Sequence, residues 1–206
     1  MTQKKRGAMR TIDVVLCGLF AALIAVGAFI RITLPTQPYP FTFSLQWLFV
    51  LLAGMLLGAK LGAMSVGAYL LVGLVGVPVF VHGGGPQYIF RAGFGFLLGF
   101  LLAAFLIGLL AERVPPFKRR DDGQPFLPEF LRLMIGAVVG LVAYYFVGTV
   151  YYYFMYSVVL ETPAEWGIGI AVAGCLSTFL PDLALCVVAS LLATRLRPAL
   201  NRVWMK

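Results

Sequence analysis

The sequence predicts an all-α integral membrane protein with six transmembrane helices and both termini in the cytoplasm. Of its 206 residues, 61% are apolar and 12% are charged, against about 45–50% and about 25% in a soluble domain. The mean hydropathy is +0.95. The apolar residues form long unbroken runs instead of alternating with polar ones, which is typical of spanning helices and not of a β-barrel. We expect a single membrane domain over residues 1–206.

Each predicted helix follows one apolar run, and a spanning helix needs about 20 such residues. Prolines, glycines and charges separate the runs and interrupt helical structure between them. The predicted helices cover residues 12–31, 44–58, 61–77, 93–111, 131–158 and 166–194.

A basic segment precedes the first helix, which we expect to be retained because the run is long and no cleavage site follows it. Ala21 and Ala25 lie one turn apart on this helix. Such a spacing of small residues lets another helix approach closely. That neighbour could belong to the same subunit or to a partner protein.

The connector 31–44 carries three prolines and is expected to be extended. The glycine-flanked segment 58–62 predicts a tight turn between the second and third helices. Residues 78–92 combine two prolines with three consecutive glycines, so they cannot be helical throughout. We interpret them as a binding loop that leads into the fourth helix, with Arg91 at its entrance.

The polar segment 112–129 predicts a loop outside the membrane, which could serve as a topology anchor or as a docking loop. The fifth helix carries six tyrosines towards its end. They could form an interfacial belt, and some must point inward if a pocket lies there. An acidic connector, 161–165, precedes the sixth helix, which has Pro181 and Asp182 near its middle.

The positive charges support this arrangement. With a cytoplasmic N-terminus, fourteen of the sixteen Lys and Arg residues lie inside, and only Arg31 and Arg91 lie outside. The loop 78–92 is then at the outer face. The net charge of +8 follows from membrane orientation, because no basic stripe with interleaved aromatic residues indicates nucleic-acid binding.

Three polar residues are candidates for a site. A carboxylate within a span costs several kcal/mol to insert, so Asp182 is expected to serve a ligand, ion or proton, or else to cap backbone freed by Pro181. Arg91 could be the counter-ion of an anionic solute or could extend its charge towards the interface. Gln46 lies near a helix start, where it could instead face lipid headgroups.

Other chemistry finds no support in the residues. His82 has no nearby Cys, Asp or Glu for a metal site or a triad, and the triple glycine is not followed by the Gly-Lys-Ser/Thr of a phosphate loop. Neither a Ser/His pair nor two membrane aspartates indicate an enzyme. We therefore predict no cofactor, no metal and no enzymatic activity, and uphill transport would need an ion gradient or another subunit. The cysteines show no metal-binding or disulfide spacing and are expected to be buried: Cys17, Cys175 and Cys186.

Over nearly its whole length the sequence resembles the BioY family, the biotin-specific S-components of energy-coupling factor (ECF) transporters. The part from Ser44 to Gly85 is quite specific, and it begins with Ser-Leu-Gln-Trp-Leu-Phe-Val-Leu-Leu-Ala-Gly-Met-Leu-Leu-Gly-Ala-Lys-Leu-Gly-Ala, residues 44–63. Three further stretches carry the resemblance: Gly76-Val-Pro-Val-Phe80 with its glycines, Phe94-Gly-Phe-Leu-Leu-Gly-Phe100, and Asp182 with Leu191-Leu-Ala-Thr-Arg-Leu-Arg-Pro198.

The resemblance implies a six-helix bundle that binds a vitamin near its outer face in a bacterial cytoplasmic membrane. It also implies two kinds of partner, a transmembrane coupling subunit and two cytoplasmic ATPases. The family's first helix carries an Ala-x-x-x-Ala motif that meets the coupling subunit, and Ala21 and Ala25 match it.

The sequence departs from the family pattern at two places. The family's last helix carries Asp-x-x-Lys at the ligand site; here Asp182 matches the acid, but Leu185 occupies the lysine position. Ala92-Gly93 stands where the family often has Pro-Thr or Pro-Ser. Because the lysine is missing, we expect Arg91 to supply the positive charge for the ligand.

We therefore predict a high-affinity biotin-binding membrane subunit whose pocket is closed by the loops 33–43 and 79–88. Inward release would require the subunit to reorient on the face of Ala21 and Ala25. An S-component for another vitamin or small anion, and a self-sufficient carrier, remain alternatives. The predicted binding residues are Gln46, Tyr88, Arg91, Asp182, Tyr144 and Tyr151.

Overall fold

A computed structural model describes residues 9–34, 41–112, 126–159 and 164–204. Within these ranges the chain forms five long helices and one short hairpin, in agreement with the predicted helical class. A 3₁₀ turn at Pro86–Phe90 precedes the third helix, and a π-helical turn at Met155–Val159 follows the fourth. The elements are α1 Thr11–Phe29, β1 Arg31–Leu34, β2 Phe41–Ser44, α2 Gln46–Val75, α3 Phe94–Glu112, α4 Phe126–Phe154 and α5 Ala164–Trp204.

Five helices in the described residues are long and apolar enough to cross a membrane, where the sequence predicted six. The difference lies in α2, which runs through the two predicted helices 44–58 and 61–77. Its first 12 residues rise about 18 Å, which is less than the ~30 Å of a bilayer core. A sixth full span therefore stays a prediction, as does the orientation of the bundle in the membrane.

The backbone of α2 is broken at Gly58, where φ is 86° and ψ is −177°. This φ favours glycine, and a Cβ there would also lie 2.3 Å from the Glu112 carboxylate. After the break the chain folds back, so that a Cβ on Gly62 would lie 3.0 Å from the Ala53 carbonyl oxygen. The tight turn predicted at 58–62 thus occurs at a single residue.

Helix α2 is the centre of the bundle. In the most apolar 18-residue stretch of α2, 72% of the residues are buried, against 56% in that of α3 and 33% or less in those of α1, α4 and α5. Helices α1, α3 and α5 all pack on α2, and α4 packs between α3 and α5. The lipid-facing sides keep large exposed apolar side chains, as expected of a membrane protein.

The connector predicted to be extended is an antiparallel hairpin as far as it is described. Arg31 pairs with Ser44 and Leu34 pairs with Phe41, while residues 35–40, most of the predicted loop 33–43, lie outside the described residues. One short two-stranded sheet thus accompanies the helices of this all-α protein. Arg31 donates from its guanidinium to the Val81 carbonyl, which joins the hairpin to the loop 78–92.

Helix α5 begins at Ala164, inside the predicted connector 161–165, and it continues ten residues beyond the predicted end at 194, through Pro198. A proline inside a helix costs about 3 kcal/mol, and contacts on both sides of Pro198 offset this cost. Arg197 donates to the Ala111 carbonyl at 2.7 Å, and Leu200 packs against the core.

Candidate ligand-binding site

The two ends of the bundle differ in character. The loop 78–92, the hairpin and the start of α3 lie at one end, here called the loop end. At the opposite end, here called the Lys60 end, Lys60 is exposed beside the break in α2. Glu112 accepts the Ala59 N–H at 2.8 Å there, and Arg197 pairs with Glu129 at 3.3 Å. Every predicted binding residue lies away from this Lys60 end.

The loop 78–92 is folded tightly against α2. Gly85 donates its N–H to the Gly73 carbonyl at 2.8 Å, and Phe80 pairs with Gly83 through two backbone hydrogen bonds. A Cβ on Gly84 would lie 2.2 Å from the Val77 carbonyl oxygen, so only glycine permits this approach. The predicted irregular segment before α3 is thus confirmed, and its glycines serve close backbone packing.

A continuous chain of aromatic rings crosses the loop end. Its ring centroids are 5.4, 4.6, 6.4 and 6.0 Å apart in order, which is normal for aromatic contacts. This loop-end aromatic chain consists of Tyr69, Phe80, Tyr88, Phe94 and Tyr151. The Tyr151 hydroxyl also donates to the Ile89 carbonyl at 2.5 Å, which ties α4 to the 3₁₀ turn.

Gln46 lies under this chain and is 1% exposed, so the alternative that it faces lipid headgroups is wrong. Its Nε2 donates to the Tyr69 hydroxyl at 2.7 Å, and Ser44 Oγ donates to its Oε1 at 3.3 Å. The Tyr69 hydroxyl donates in turn to the Val79 carbonyl at 3.3 Å. Gln46 therefore connects the hairpin, both halves of α2 and the loop.

Arg91 is exposed, and its guanidinium carbon lies 5.5 Å from the centroid of the Tyr88 ring. This distance allows a cation–π interaction. The pKa of the His82 imidazole is lowered, first by burial and then by the charges of Arg91 and Arg31, so this side chain is neutral near pH 7. The positive charges that this loop and the hairpin carry in the described residues are therefore the guanidinium groups of Arg91 and Arg31. Burial raises the pKa of Tyr88, which keeps its hydroxyl protonated.

Asp182 lies deeper, on α5, and is 4% exposed. Tyr145, on α4, donates its hydroxyl proton to Asp182 Oδ2 at 2.6 Å. Thr178 Oγ1 lies 3.2 Å from the same tyrosine oxygen. The carboxylate is therefore held between two helices by neutral hydroxyl groups. Leu185, at the position of the family's lysine, packs against the core.

A second aromatic group, here called the inner aromatic cluster, stands beside Asp182. Tyr144 stacks on Trp47 at 4.9 Å and on Phe100 at 5.0 Å, and its ring lies 5.0 Å from that of Tyr145. The buried Trp47 N–H faces the Cys186 thiol, a weak acceptor, and makes no standard hydrogen bond among the described residues.

The structure thus divides the predicted binding residues into two groups. Gln46, Tyr88, Arg91 and Tyr151 belong to the loop end, whereas Tyr144 and Asp182 belong to the inner cluster. The groups adjoin because Trp47 follows Gln46, and because Phe96, two residues after Phe94, contacts Tyr144 at 5.5 Å. Sequence reasoning missed the partners Trp47, Tyr69, Phe80, Phe94, Phe100 and Tyr145. The signal in the sequence for Tyr69 and Tyr145 was a side chain with a polar hydroxyl group within an otherwise apolar run.

The face of α1 that carries Ala21 and Ala25 lies at the edge of the bundle. Both alanines are partly buried and pack against the core. Beside them, Leu19 is 52% exposed, and a Cβ on Gly18 would meet no atom within 4 Å. Internal packing therefore accounts for part of this face, and contact with a partner subunit stays a prediction.

An open cleft of about 420 Å³ lies between α4 and α5. Its lining is nearly all apolar, and the exposed Phe146 and Leu176 border it. Because such a surface suits lipid tails better than a polar vitamin, we do not assign the ligand to it. In the described residues no group of three His, Cys, Asp or Glu side chains could hold a metal ion.

Comparison with known proteins identifies the family. The model of the BioY family matches residues 1–202. A probable biotin transporter BioY from Lysinibacillus sphaericus is 38% identical over 186 residues, which cover 90% of this chain and 87% of that protein. The biotin transporter BioY of Rhizobium etli is 38% identical over 190 residues, covering 89% and 92% of the two chains.

A solved structure supports the fold independently. The crystal structure of the S-component for biotin from an ECF-type ABC transporter superposes with a TM-score of 0.68 and covers 93% of this chain and 95% of that chain. Its 23% identity limits this likeness to the fold. The resemblance seen in the sequence is confirmed, and this multi-pass membrane protein belongs to the BioY family.

Proposed function

We propose that this chain is the biotin-binding S-component of an ECF-type uptake transporter. It captures the vitamin at the loop end and delivers it across the membrane, and it is a transport subunit, not an enzyme. The observation that carries this proposal is the match to the BioY family along residues 1–202, with relatives described as biotin transporters. The layered arrangement of charges, rings and carboxylate is consistent with it.

Biotin has a carboxylate tail, an apolar thioether ring and a ureido group with two N–H donors. The guanidinium of Arg91 at the loop end suits the carboxylate. The rings of Tyr88, Tyr151 and Tyr144 would contact the apolar part of the ligand. The ureido N–H groups need acceptors, and the buried oxygens of Gln46 and Asp182 meet that requirement.

Orientation and partners belong to the same proposal. With both termini cytoplasmic, the loop end faces outward, and the Lys60 end faces the cytoplasm with its basic residues. A transmembrane coupling subunit would contact α1 along Ala21 and Ala25, beside the open surface at Gly18. Two cytoplasmic ATPases would supply the energy, in a bacterial cytoplasmic membrane.

Fluorescence titration of the purified protein with a panel of vitamins tests the ligand. Biotin should quench or shift the tryptophan emission saturably, since Trp47 stacks on a proposed wall residue, Tyr144. The same titration of Trp47→Phe should lose most of the signal while retaining binding by equilibrium dialysis. Saturation by a different vitamin, with none by biotin, would overturn the substrate assignment.

A second candidate is an S-component for another vitamin, and Leu185 at the family's lysine position is the observation that favours it. A self-sufficient carrier is tested separately by uptake into proteoliposomes. Uptake should require the coupling subunit, the ATPases and ATP. Concentrative uptake by this chain alone would contradict the proposed dependence on partners.

A further inference from the structure

The Asp182 carboxylate depends on neutral donors. It lies in the apolar span Val172–Leu200 and is 4% exposed. Within the described part of the chain, its hydrogen-bond donors are the hydroxyls of Tyr145 and Thr178. Burying a carboxylate is costly unless donors compensate it. The 2.6 Å bond from Tyr145 comes from another helix, so it also fixes Asp182 relative to α4.

The surroundings of Tyr145 hold its hydroxyl in one direction. Its ring contacts Tyr144, which is itself stacked on Trp47. A tyrosine hydroxyl has a single proton, and Tyr145 gives it to Asp182. Thr178 Oγ1 lies 3.2 Å from the tyrosine oxygen, and it is also within hydrogen-bond distance of the Gly174 carbonyl of its own helix, at 3.2 Å. Stacking and hydrogen bonding together orient this donor before any ligand arrives.

The same helix as Asp182 supplies no cation at the next turn. Leu185 is three residues further on, so its side chain lies on the same side of α5. It packs against the core and has no donor. The hydrogen bond that fixes the carboxylate relative to α4 is thus the one from Tyr145.

We propose that Tyr145 is the positioning residue for Asp182 and sets the ligand affinity of this chain through it. The Tyr145 hydroxyl holds Oδ2 and so fixes the orientation in which the carboxylate accepts an N–H from the ligand. This inference rests on the proposed function for the identity of the ligand, and it adds a residue that acts only through Asp182.

A double-mutant cycle with biotin as the probe tests this role in the purified full-length protein. Tyr145→Phe keeps the ring and removes the hydroxyl, so affinity should fall about tenfold, as for one lost hydrogen bond to a charged group. Asp182→Asn should weaken binding by a similar factor. The double variant should be no more than about twofold weaker than Asp182→Asn alone, because both changes remove one interaction.

Controls separate positioning from helix packing. Tyr153→Phe, on the same helix at a side chain 38% exposed, should bind as the unchanged protein does. Leu185→Lys in the Tyr145→Phe background should recover affinity, since lysine supplies a new donor one turn from Asp182. A thermal melt of each variant identifies any that is not folded, and the cycle then uses Asp182→Glu in place of Asp182→Asn.

The two failures can be told apart. Multiplied losses in the double variant, about 100-fold in all, would overturn the role of Tyr145 while leaving biotin binding in place. Unchanged affinity in a folded Tyr145→Phe would do the same. No saturable binding of biotin by the unchanged protein would instead refute the proposed function.

Discussion

Replacing Gly73 by alanine tests whether the close packing of the loop on α2 is required for ligand binding. A Cβ at this position would lie 2.1 to 2.6 Å from three atoms of the Phe80 ring, far inside van der Waals contact. Phe80 is 2% exposed and is held between Tyr69 and Tyr88. The ring therefore cannot turn aside without moving the loop-end aromatic chain.

The expected magnitude follows from two opposing effects. Overpacking of a core costs about 1–3 kcal/mol, while alanine in place of glycine within a helix gains about 0.5–1 kcal/mol. Gly73→Ala should therefore lose a net ~1–2 kcal/mol of stability. Because Phe80 contacts Tyr88, a proposed binding residue, we expect biotin affinity to fall about tenfold as well.

Gly67→Ala is the matched control, since its Cβ would meet only Leu101, at an ordinary 3.8 Å. This variant has the same change of backbone entropy in the same helix and should melt at or above the temperature of the unchanged protein. Thermal unfolding in detergent and biotin titration measure both effects. Equal melting temperatures and equal affinities for the two variants would refute the argument that Phe80 packs on Gly73 and positions the loop end.

Three further predictions concern other parts of the molecule. Asp182→Asn should weaken biotin binding about tenfold, or ~1.4 kcal/mol, and unchanged affinity in a folded protein would remove Asp182 from the site. The double variant Ala21→Trp, Ala25→Trp should leave biotin binding intact and prevent co-purification of the coupling subunit. The control Ile135→Trp, at a side chain 61% exposed on α4, should leave co-purification intact. A normal yield of the complex from the double variant would contradict the proposed interface. Because burial lowers the pKa of His82, the unfolded chain takes up its proton first, so stability should decline as pH falls below about 6.5. His82→Asn should flatten this profile, and a matching decline in that variant would exclude His82 as the cause.

Several features could be predicted from residue type and spacing because their cause is local. Helix positions follow from apolar runs, and the turn in α2 follows from glycine, the residue that adopts the φ of 86° found at Gly58. The extension of α5 through Pro198 was not predictable. It depends on the contacts of Arg197 with Ala111 and Glu129, which are distant in the sequence.

In the candidate site, too, the contacts between residues distant in the sequence could not be predicted. Gln46 and Asp182 stood out as polar residues in apolar runs, yet nothing local indicated their partners. The Gln46–Tyr69, Tyr145–Asp182 and Tyr151–Ile89 hydrogen bonds join residues 23, 37 and 62 positions apart. Tyr144 was a predicted wall residue, but its neighbour Tyr145 makes the contact with Asp182.

The sequence by itself determined the membrane class, the helical runs and the family, because each follows from composition, run length or a contiguous motif. Only the tertiary structure decided that α5 continues through Pro198, that Gln46 bonds to Tyr69, and that Asp182 bonds to Tyr145. These features arise where helices distant in sequence meet, and a buried polar group takes whichever donor that packing brings within about 3 Å.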